Sequence, residues 1–498
     1  MTRTTREPES AALESALCDP TLADRVEMVL SSPQPDTYRA AAHDGAVEFT
    51  RSTDNGNPEY RRTATSGRDP LADQSTDRFL GLGTERSNSF PAAHDNAYPF
   101  AFDSVAQFFD APVAPDLVAL HSASHHYGGH LGQHGSLGTV QARAPFIAGG
   151  AGIAKLGVVD QATRVVNVAP TIARLLGVEA NVGSVGPTGE RLDRGLLRRQ
   201  DGTVESEVLD GTRPDHVVVF LLDGCNPNLL AAAMADGEAP NIGSVLSDGM
   251  SFGRGSMASL PTATLANHTT SITGAHPGHS GILHNAWVDR ADGDTVDLLE
   301  LPAMFHAMQH LSPDVETLFQ ALHRSRPSAF SSASFEFCDT GADFSTFALV
   351  RRGDESGLPP TDTVTHLDPD ASANEPYRFM SRVDHLSTAH TLQCWRREHG
   401  NPLPTLSWCS LALTDEAGHT SGPHGELARA AVRDSDARVG DVLAAVESAG
   451  ALDDTAVLVI ADHGMEQCDP EVDEGWDQAV AESGVACREV GDGLIYLG

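Results

Sequence analysis

Three apolar runs in the second half of the chain predict buried strands. HVVVFLLDG covers 216–224, TLSWCSLALTD covers 405–415 and TAVLVIADHG covers 455–464. Such uninterrupted runs are typical of strands that are covered on both faces of a parallel sheet. Helices are expected between them, at 227–236 and at 426–450. Strands that alternate with helices in this way predict an α/β sheet.

The first half of the chain has a weaker pattern. Apolar residues at 115–122 and 142–152 predict two further strands, and 168–176 predicts a short helix. The polar, turn-rich stretch at 51–98 is expected to form long surface loops. Residues 1–19 are expected to be a flexible acidic leader.

Two segments interrupt the alternation of strands and helices. Residues 178–214 are rich in Gly, Asp and Arg and have no apolar period, so we expect a linker there. Residues 292–400 are expected to form an inserted cap. The chain is therefore divided into the leader, a first segment at 20–177, the linker and a second segment at 215–498, which together build one catalytic domain.

The charge balance narrows the choice of partners. The chain has 69 acidic against 33 basic residues, a net charge of −36, and Lys155 as its single lysine. Such a field repels nucleic acid and anionic membranes. Concentrated salt screens the repulsion between these acidic residues, so we favour a protein adapted to high salt. The alternative is an acidic protein from a GC-rich genome, which prefers arginine to lysine. We expect a cytoplasmic protein, since no export signal and no apolar run of the ~18–20 residues needed to cross a bilayer is visible.

Each of the three apolar runs contains an aspartate at its end: Asp223, Asp415 and Asp462. Ligands of α/β sheets bind outside the carboxyl ends of the strands, so these side chains could converge. A single aspartate there is equally well explained as a turn or N-cap residue. However, His419 follows Asp415 by about one helical turn, and His463 follows Asp462 directly. Asp and His without Cys are the ligand types of a catalytic zinc or manganese site.

A second candidate element is PTATLANHTTSITG at 261–274. It is predicted to be a loop that enters a helix, which Gly274 ends. A hydroxyl at the start of a helix lies among free backbone N–H groups, a position that favours a phosphate. Thr264, placed there beside a metal ion, would be a candidate nucleophile. The alternative is that Thr262 or Thr264 is only the N-cap of the helix.

Four motifs together carry a family resemblance. VFLLDG, PTATLANHTTSITGAHPGHSGILHNAW, TDEAGHTSGP and ADHGME resemble, in this order, the motifs of type I phosphodiesterases/nucleotide pyrophosphatases of the alkaline phosphatase superfamily. DGCNP at 223–227 is also similar to the opening motif of phosphonoacetate hydrolases. The resemblance implies an alkaline-phosphatase-like three-layer α/β sandwich around a largely parallel sheet. It further implies two divalent metal ions as cofactors, zinc with manganese as the alternative.

The resemblance also implies a set of site residues. One metal ion would have four ligands: Asp223, Thr264, Asp462 and His463. A second metal ion would be held by Asp415, His419 and one further histidine. Asn285 matches the family asparagine that binds a non-bridging phosphoryl oxygen together with a backbone N–H.

The further histidine is missing from its usual place. In the family it follows the Asp-His-Gly motif, but this chain has no histidine after His463. Residues 128–177 resemble the segment that carries it, which makes His134 in GQHGS the implied ligand and the chain circularly permuted. A swapped homodimer in which His134 acts in trans is a further possibility. One alternative is that a neighbouring histidine is the ligand, and the other is that this His-rich loop binds no metal. The neighbouring histidines are His121, His125, His126 and His130.

The implied function is hydrolysis of phosphate diesters or nucleotide pyrophosphates through a phosphothreonine on Thr264. The substrate would be a small phosphorylated molecule such as a nucleotide. Alternatives are phosphonoacetate-type C–P hydrolysis, a phosphomonoesterase, and a catalytically silent binding protein on the same fold. His276, His279 and His284 are expected to pack loops. The segment 338–344 is left open as part of a substrate pocket. Arg351–Arg352 would either contact a substrate anion or form a solvated pair.

Overall fold

The computed structural model describes residues 7–54, 56–125, 128–355, 357–472, 475–491 and 493–498. The strands, in chain order, are β1 (Val26–Gln34), β2 (Thr37–Ala42), β3 (Gly45–Asp54), β4 (Asn57–Gly67), β5 (Leu117–His121), β6 (Gly132–Gln133), β7 (Arg143–Ala144), β8 (Phe146–Gly150), β9 (Gly157–Val159), β10 (Thr163–Arg164), β11 (His216–Leu222), β12 (Gly249–Phe252), β13 (Ser256–Met257), β14 (Ala286–Val288), β15 (Thr295–Asp297), β16 (Ser331–Ser334), β17 (Phe344–Ser345), β18 (Leu406–Leu411), β19 (Thr455–Ile460), β20 (Glu466–Gln467), β21 (Cys487–Val490) and β22 (Leu494–Leu497).

The α-helices, in chain order, are α1 (Glu7–Leu17), α2 (Leu82–Ser87), α3 (Ala101–Phe109), α4 (Thr139–Ala142), α5 (Val168–Leu175), α6 (Pro227–Ala235), α7 (Pro240–Ser247), α8 (Thr264–Thr273), α9 (Pro277–Ser280), α10 (Leu318–Ser325), α11 (Thr346–Arg352), α12 (Glu375–Trp395), α13 (Leu413–Ser421), α14 (Glu426–Ser448) and α15 (Asp477–Glu482). Short 3₁₀ helices lie at Pro20–Leu22, Val165–Asn167, Ser206–Val208, Ala303–His310, Thr361–Thr363, Ala371–Ala373 and Leu452–Asp454.

Eight strands form the central sheet, in the order β17-β16-β18-β11-β19-β8-β12-β9. Neighbouring strands run parallel, except that β8 is antiparallel to both β19 and β12. The three apolar runs form β11, β18 and β19, and β11 lies between the other two, with Val217 opposite Leu406 on one side and Ala456 on the other. The predicted, largely parallel α/β sheet is confirmed.

Helices cover both faces of the central sheet. On β11, Val217 and Leu221 face a core that includes residues of α5, α8 and α10. Phe220 and Leu222 face the opposite core, which includes residues of α6, α7 and α14. Successive side chains of a strand point to opposite faces, so a strand covered on both sides needs an uninterrupted apolar run. The architecture is therefore the expected three-layer sandwich.

A second sheet, which the sequence did not predict, has seven strands in the order β21-β22-β5-β1-β2-β3-β4. Every pair in it is antiparallel. β5 lies between β1 and β22, so strands from opposite ends of the sequence are near neighbours. Val118 of β5 and Leu494 of β22 pack in one core with Leu265 of α8. The second sheet thus supports the helix that begins at Thr264.

Two expectations for the first half are wrong. The predicted leader contains α1, whose Leu13 and Leu17 are buried in a core with Ile495 of the second sheet. Two leucines among acidic residues form the apolar side of a helix, which gives little signal by itself. The predicted loops at 51–98 contain β4, which pairs along its length with β3. Most of the β4 side chains are exposed, so its sequence lacks an apolar strand pattern.

The linker and the cap also differ from expectation. Within 178–214, Leu197 and Val208 are fully buried, and the N–H of Asp201 donates to the Gly274 carbonyl at the end of α8, at 2.8 Å. This segment is packed against the domain. Within 292–400, β16 pairs with β18 and β17 pairs with β16, so part of the expected cap belongs to the central sheet. The sequence of β16, SSAS, is too polar to predict a buried strand.

Of the helices that the structure describes, none combines the length and the apolar character needed to cross a membrane.

Candidate metal centre

The three predicted aspartates meet at one edge of the central sheet. Asp223 directly follows β11, and Asp462 lies just beyond the end of β19. Asp415 does not end a strand, because β18 stops at Leu411 and Asp415 lies in the first turn of α13. Gly224 allows α13 to approach β11 closely: a Cβ atom there would lie 2.3 Å from Oδ1 of Asp415.

His134 reaches this edge from the first half of the chain. β6 pairs antiparallel with β20, with Gln133 opposite Glu466, and this pairing brings the following residue, His134, beside the Asp-His-Gly motif. A Cβ atom on Gly132 would lie 2.3 Å from the Gly418 carbonyl oxygen of α13, so glycine is required for the approach.

His134, Asp415 and His419 form the first group of potential metal ligands, with ligand atoms within 4.8 Å of one another. Nε2 of His134 is 3.1 Å from Nε2 of His419 and 3.6 Å from Oδ1 of Asp415. Nε2 of His419 is 3.4 Å from Oδ2 of Asp415. The structure therefore brings these three residues together within one chain.

The second group surrounds Asp223, which lies at the same edge, directly after β11. Nε2 of His463 is 3.0 Å from Oδ2 of Asp462 and 3.7 Å from Oδ1 of Asp223. Oγ1 of Thr264 is 3.4 Å from Nε2 of His463. The rings of His463 and His134 stack with their centroids 3.8 Å apart, so the two groups adjoin.

The three histidines present the same ring nitrogen to the site. Each places Nδ1 at hydrogen-bond distance from a backbone carbonyl: His134 at Thr262 (2.7 Å), His419 at Gly132 (2.9 Å) and His463 at Gly464 (3.0 Å). A carbonyl oxygen only accepts, so Nδ1 carries a proton and Nε2 is the ring nitrogen that could bind a cation. This second-shell arrangement is typical of metal-binding histidines.

The carboxylates also fit a cation. Among the described residues, Oδ1 of Asp223, Oδ1 of Asp415 and Oδ2 of Asp462 are buried without a hydrogen-bond donor, which is costly for a charged group. Burial, with the neighbouring carboxylates of Asp462 and Asp415, raises the pKa of Asp223 to about 8. Burial and two nearby imidazoles lower the pKa of His134 well below its usual range. Burial by itself would lower the pKa of His463, but the carboxylate of Asp462 raises it to about 9, so this ring would release a proton when a metal ion binds. Imidazole nitrogens and unpaired carboxylates suit divalent metal ions.

Thr264 is the first residue of α8, as predicted. Ala263 before it is extended, and Gly274 after the helix is left-handed with φ 66°. Thr264 is half-buried, whereas the residues after it in α8 are buried. The N–H of Leu265 donates to Oδ1 of Asn285 at 3.0 Å. This bond anchors the Asn285 amide beside Thr264 and orients its NH₂ group as a potential donor to a bound anion.

Other histidines near the site have different roles. Nδ1 of His276 is 2.8 Å from the Ser259 hydroxyl. The ring of His279 lies between Asp201, at 2.6 Å, and Asp110, at 3.0 Å. Both are loop-packing residues, as expected.

The remaining sequence candidates lie around the site in different ways. Nε2 of His121 is 3.1 Å from the His134 carbonyl oxygen, and the exposed His130 packs its ring 4.7 Å from that of His419. His125 is buried against Trp476, and His126 lies outside the described residues. The Arg351 guanidinium forms an ion pair with Asp339 of the 338–344 segment at 2.7 Å, so each already engages the other.

One buried histidine of the site did not stand out in the sequence. His268 lies one turn after Thr264 on α8, and its Nε2 is 3.6 Å from Oδ2 of Asp223. Its Nδ1 is 2.9 Å from Oε2 of Glu336, at the end of β16. The spacing Thr-x-x-x-His on a predicted helix was the available signal, since residues four apart share a helix face.

Comparison with known proteins gives a family. The type I phosphodiesterase/nucleotide pyrophosphatase family matches residues 217–496. No curated protein matches the chain. Similar solved structures include a murine ectonucleotide pyrophosphatase/phosphodiesterase 5, 17% identical with a TM-score of 0.36, and an inactive form of it in complex with AMP, 17% identical with a TM-score of 0.34. A phosphonoacetate hydrolase from Sinorhizobium meliloti in complex with phosphonoformate is 20% identical with a TM-score of 0.33.

Each of these structural matches covers 51% of this chain and 58% of the other chain. The family match, by contrast, extends from β11 to β22 and includes seven of the eight predicted site residues, all except His134. Because it covers more than half of the sequence, this chain belongs to the type I phosphodiesterase/nucleotide pyrophosphatase family.

Proposed function

We propose that this protein is a two-metal hydrolase of phosphate diesters or nucleotide pyrophosphates, with Thr264 as its nucleophile. The observation that carries the proposal is the convergence of unpaired carboxylates and Nε2 lone pairs beside a half-buried hydroxyl at a helix start. Family membership supports the reaction class, and the geometry supports the choice of residues.

Two groups of residues would hold the metal ions. Asp223, Asp462 and His463, with the Thr264 hydroxyl, are proposed as one set, and His134, Asp415 and His419 as the other. Nitrogen and carboxylate ligands without Cys fit zinc and also manganese, and we propose zinc. When bound, such ions lower the pKa of a coordinated hydroxyl and offset the charge of a phosphoryl group.

In the proposed first step, Oγ1 of Thr264 attacks phosphorus and its proton passes to solvent. The P–O bond to the leaving alcohol or phosphate breaks, and the bond pair stays on the leaving oxygen. The positive N-terminal end of α8 would stabilise the incoming anion. The Asn285 amide, held by Leu265 N–H at 3.0 Å, donates to a non-bridging phosphoryl oxygen. Both groups are fixed before substrate binds, which is how electrostatic stabilisation is most effective.

In the proposed second step, water attacks the phosphothreonine and the P–O bond to Thr264 breaks. The Thr264 oxygen takes up a proton, inorganic or substituted phosphate leaves, and the hydroxyl is regenerated. No protein group is consumed, so the cycle balances with one water per bond cleaved.

We further propose that the chain is circularly permuted relative to the family. Three features support this: His134 reaches His419 in the same chain at 3.1 Å, β1 and β22 flank β5 in one sheet, and 178–214 packs on α8. Neighbouring termini are where such a rearrangement is tolerated. The in-chain distance also means that a swapped homodimer is not needed to complete the site.

The test is hydrolysis of aryl phosphate diesters, aryl phosphate monoesters and phosphonoacetate by metal-loaded protein in high and low salt. We expect the diester to be the best substrate. Thr264→Ala should lower kcat by roughly 10³-fold or more with metal content retained, while Thr264→Ser should keep measurable activity. Thr273→Ala, at the far end of the same helix, is the matched control. Full activity in Thr264→Ala would contradict the mechanism, and preference for phosphonoacetate would redirect the function to C–P hydrolysis.

A further inference from the structure

The helix that carries two of the proposed metal ligands has no cap of its own. α13 begins at Leu413, with Asp415 in its first turn and His419 in its last. The first N–H groups of an α-helix have no partner within the helix. Ala412, at the N-cap position, has no side chain that could accept from them. These donors therefore need an acceptor from another part of the chain.

Asp384 of α12 supplies that acceptor. Its Oδ1 accepts from the Ala412 N–H at 2.7 Å, and its Oδ2 accepts from the Leu413 N–H at 3.3 Å. A carboxylate at this position also interacts favourably with the positive end of the helix dipole. Asp384 thus takes the place of an N-cap residue, although it lies 28 residues before Ala412 in the sequence.

The residues around Asp384 hold this carboxylate in place. Asp384 is fully buried, and Ser387, one helical turn further along α12, donates its hydroxyl to the Ser410 carbonyl of β18 at 2.7 Å. Arg438 of α14 lies beside Asp384, and its Nη2 donates to the Ser381 hydroxyl of α12 at 2.8 Å. α12 and α14 therefore form a fixed base under the junction between β18 and α13.

The other side of the same helical turn is tied to the metal centre. The Thr414 hydroxyl donates to the Asp223 carbonyl at 2.6 Å, so residues 412–414 are held from two sides. Asp415 follows them directly. A metal ligand has to be held within about 0.5 Å of its productive position, so the placement of the Asp415 carboxylate depends on this turn.

The charge of Asp384 is kept at a cost to stability. Burial, with Asp434 nearby, raises the pKa of the Asp384 carboxyl to about 6, although Arg438 and the two backbone N–H groups oppose the rise. The charged form is therefore less favourable in the folded protein than in water. Shifted pKa values of this kind are common at functional sites.

We propose that Asp384 is a positioning residue of the metal centre, which caps α13 from a neighbouring helix and so holds Asp415 and His419 in place for the ion shared with His134. It acts through the backbone of α13. This inference rests on the proposed function only in that the His134 group binds a divalent metal ion.

Zinc titration of Asp384→Asn tests this role. Asparagine keeps the size of the side chain and one acceptor oxygen, but it lacks the second acceptor and the charge. Loss of an N-cap shifts the equilibrium of a helix start by about fivefold, so the first turn of α13 should fray in the metal-free variant and zinc must reorder it. One of the two zinc ions should therefore bind about fivefold more weakly, and saturating zinc should restore kcat of diester hydrolysis.

Asp434→Asn is the matched control. Asp434 is a buried carboxylate of α14 close to Asp384, and its hydrogen bonds among the described residues come from the Tyr377 hydroxyl at 2.8 Å and the Asp368 N–H at 3.0 Å. A general loss of packing would weaken zinc binding in both variants. We expect the control to keep both zinc affinities. Equal losses in the two variants, or no loss in Asp384→Asn, would overturn the proposal.

Amide hydrogen exchange provides a second measurement. In the metal-free wild type, the Ala412 and Leu413 amides should exchange slowly, because they are hydrogen-bonded to a buried carboxylate. Their exchange should be faster in Asp384→Asn and unchanged in Asp434→Asn. If the two amides of the wild type exchange as fast as amides without hydrogen bonds, the proposal is wrong, and this result does not require a folded variant.

The two proposals fail separately. A protein that hydrolyses no phosphate ester but has weakened zinc binding in Asp384→Asn alone would keep the positioning role and lose the proposed activity. An active diesterase with the same zinc affinities in the wild type and in Asp384→Asn would do the reverse.

Discussion

Replacing His134 by alanine tests the assembly of the site from both halves of the chain. Its Nε2 is one of three ligand atoms in the group with Asp415 and His419, and its ring stacks on that of His463 at 3.8 Å. Removal leaves two ligand atoms for a divalent ion. We therefore expect one of the two metal ions to be lost, while the nucleophile and the Asp223 group remain.

The size of the effect follows from the role of the ligand. Loss of a supporting residue behind a ligand typically costs 10–100-fold in metal affinity, so loss of the ligand itself should cost about 100-fold or more, equal to ~2.7 kcal/mol. The proposed mechanism uses both ions, so kcat/KM of the diester should fall by at least the same factor at limiting zinc. High zinc concentration should restore part of the activity.

The assay is a zinc titration of metal-free protein, with the metal content of the dialysed protein and diester hydrolysis measured in parallel. His130→Ala is the matched control, because this exposed histidine of the same loop also packs on His419 but belongs to no ligand group. It should bind two metal ions. A His134→Ala protein that binds two zinc ions with wild-type affinity would refute the assignment of His134 and remove the main support for the permutation.

Three further predictions concern the loop that carries His134, the buried carboxylate of Asp103 and the net charge. Thr262→Val removes a hydroxyl that accepts from Gly135 N–H at 2.7 Å and donates to the Ser136 carbonyl at 2.9 Å, so zinc affinity at the His134 group should fall about 10–100-fold; unchanged affinity would show that the loop is held without it. Burial alone would raise the pKa of Asp103, but Arg164 and His276 lower it from 3.8 to about 2, so the wild type should exceed Asp103→Asn in unfolding free energy by about 2 kcal/mol above pH 5. This difference should disappear as the pH falls through 2, and a pH-independent difference in urea unfolding curves would contradict it. With a net charge of −36, Tm should rise as KCl increases from about 0.1 M to 1 M and the Debye length falls from ~10 Å to ~3 Å; a flat Tm would favour the genome-composition explanation of the acidic residues.

The central sheet was predictable because its strands are covered on both faces. A run such as 216–222 must be apolar at every position, and this leaves a signal in the sequence itself. The antiparallel second sheet was not predictable, because β4 is mostly exposed and its alternation is weak. The same reason applies to β16, where four small residues are buried without an apolar pattern.

The candidate metal-ligand types and the proposed nucleophile were also visible in the sequence. Asp415 and His419 are one helical turn apart, Asp462 and His463 are adjacent, and Thr264 opens a helix that glycine ends; each of these relations is local. Local spacing fixes which side chains can share a face, and the structure places all of them at one sheet edge.

Relations between distant segments were decided only by the tertiary structure. The distance of 3.1 Å between Nε2 of His134 and Nε2 of His419 depends on the pairing of β6 with β20. The orientation of His268 toward Asp223 depends on its contact with Glu336, which follows β16. The sequence by itself determined the chemistry available to the site, because residue type and local spacing do not depend on long-range packing. The tertiary structure decided which of the 22 histidines reach the candidate metal centre, because the position and orientation of each ring depend on the packing of distant segments.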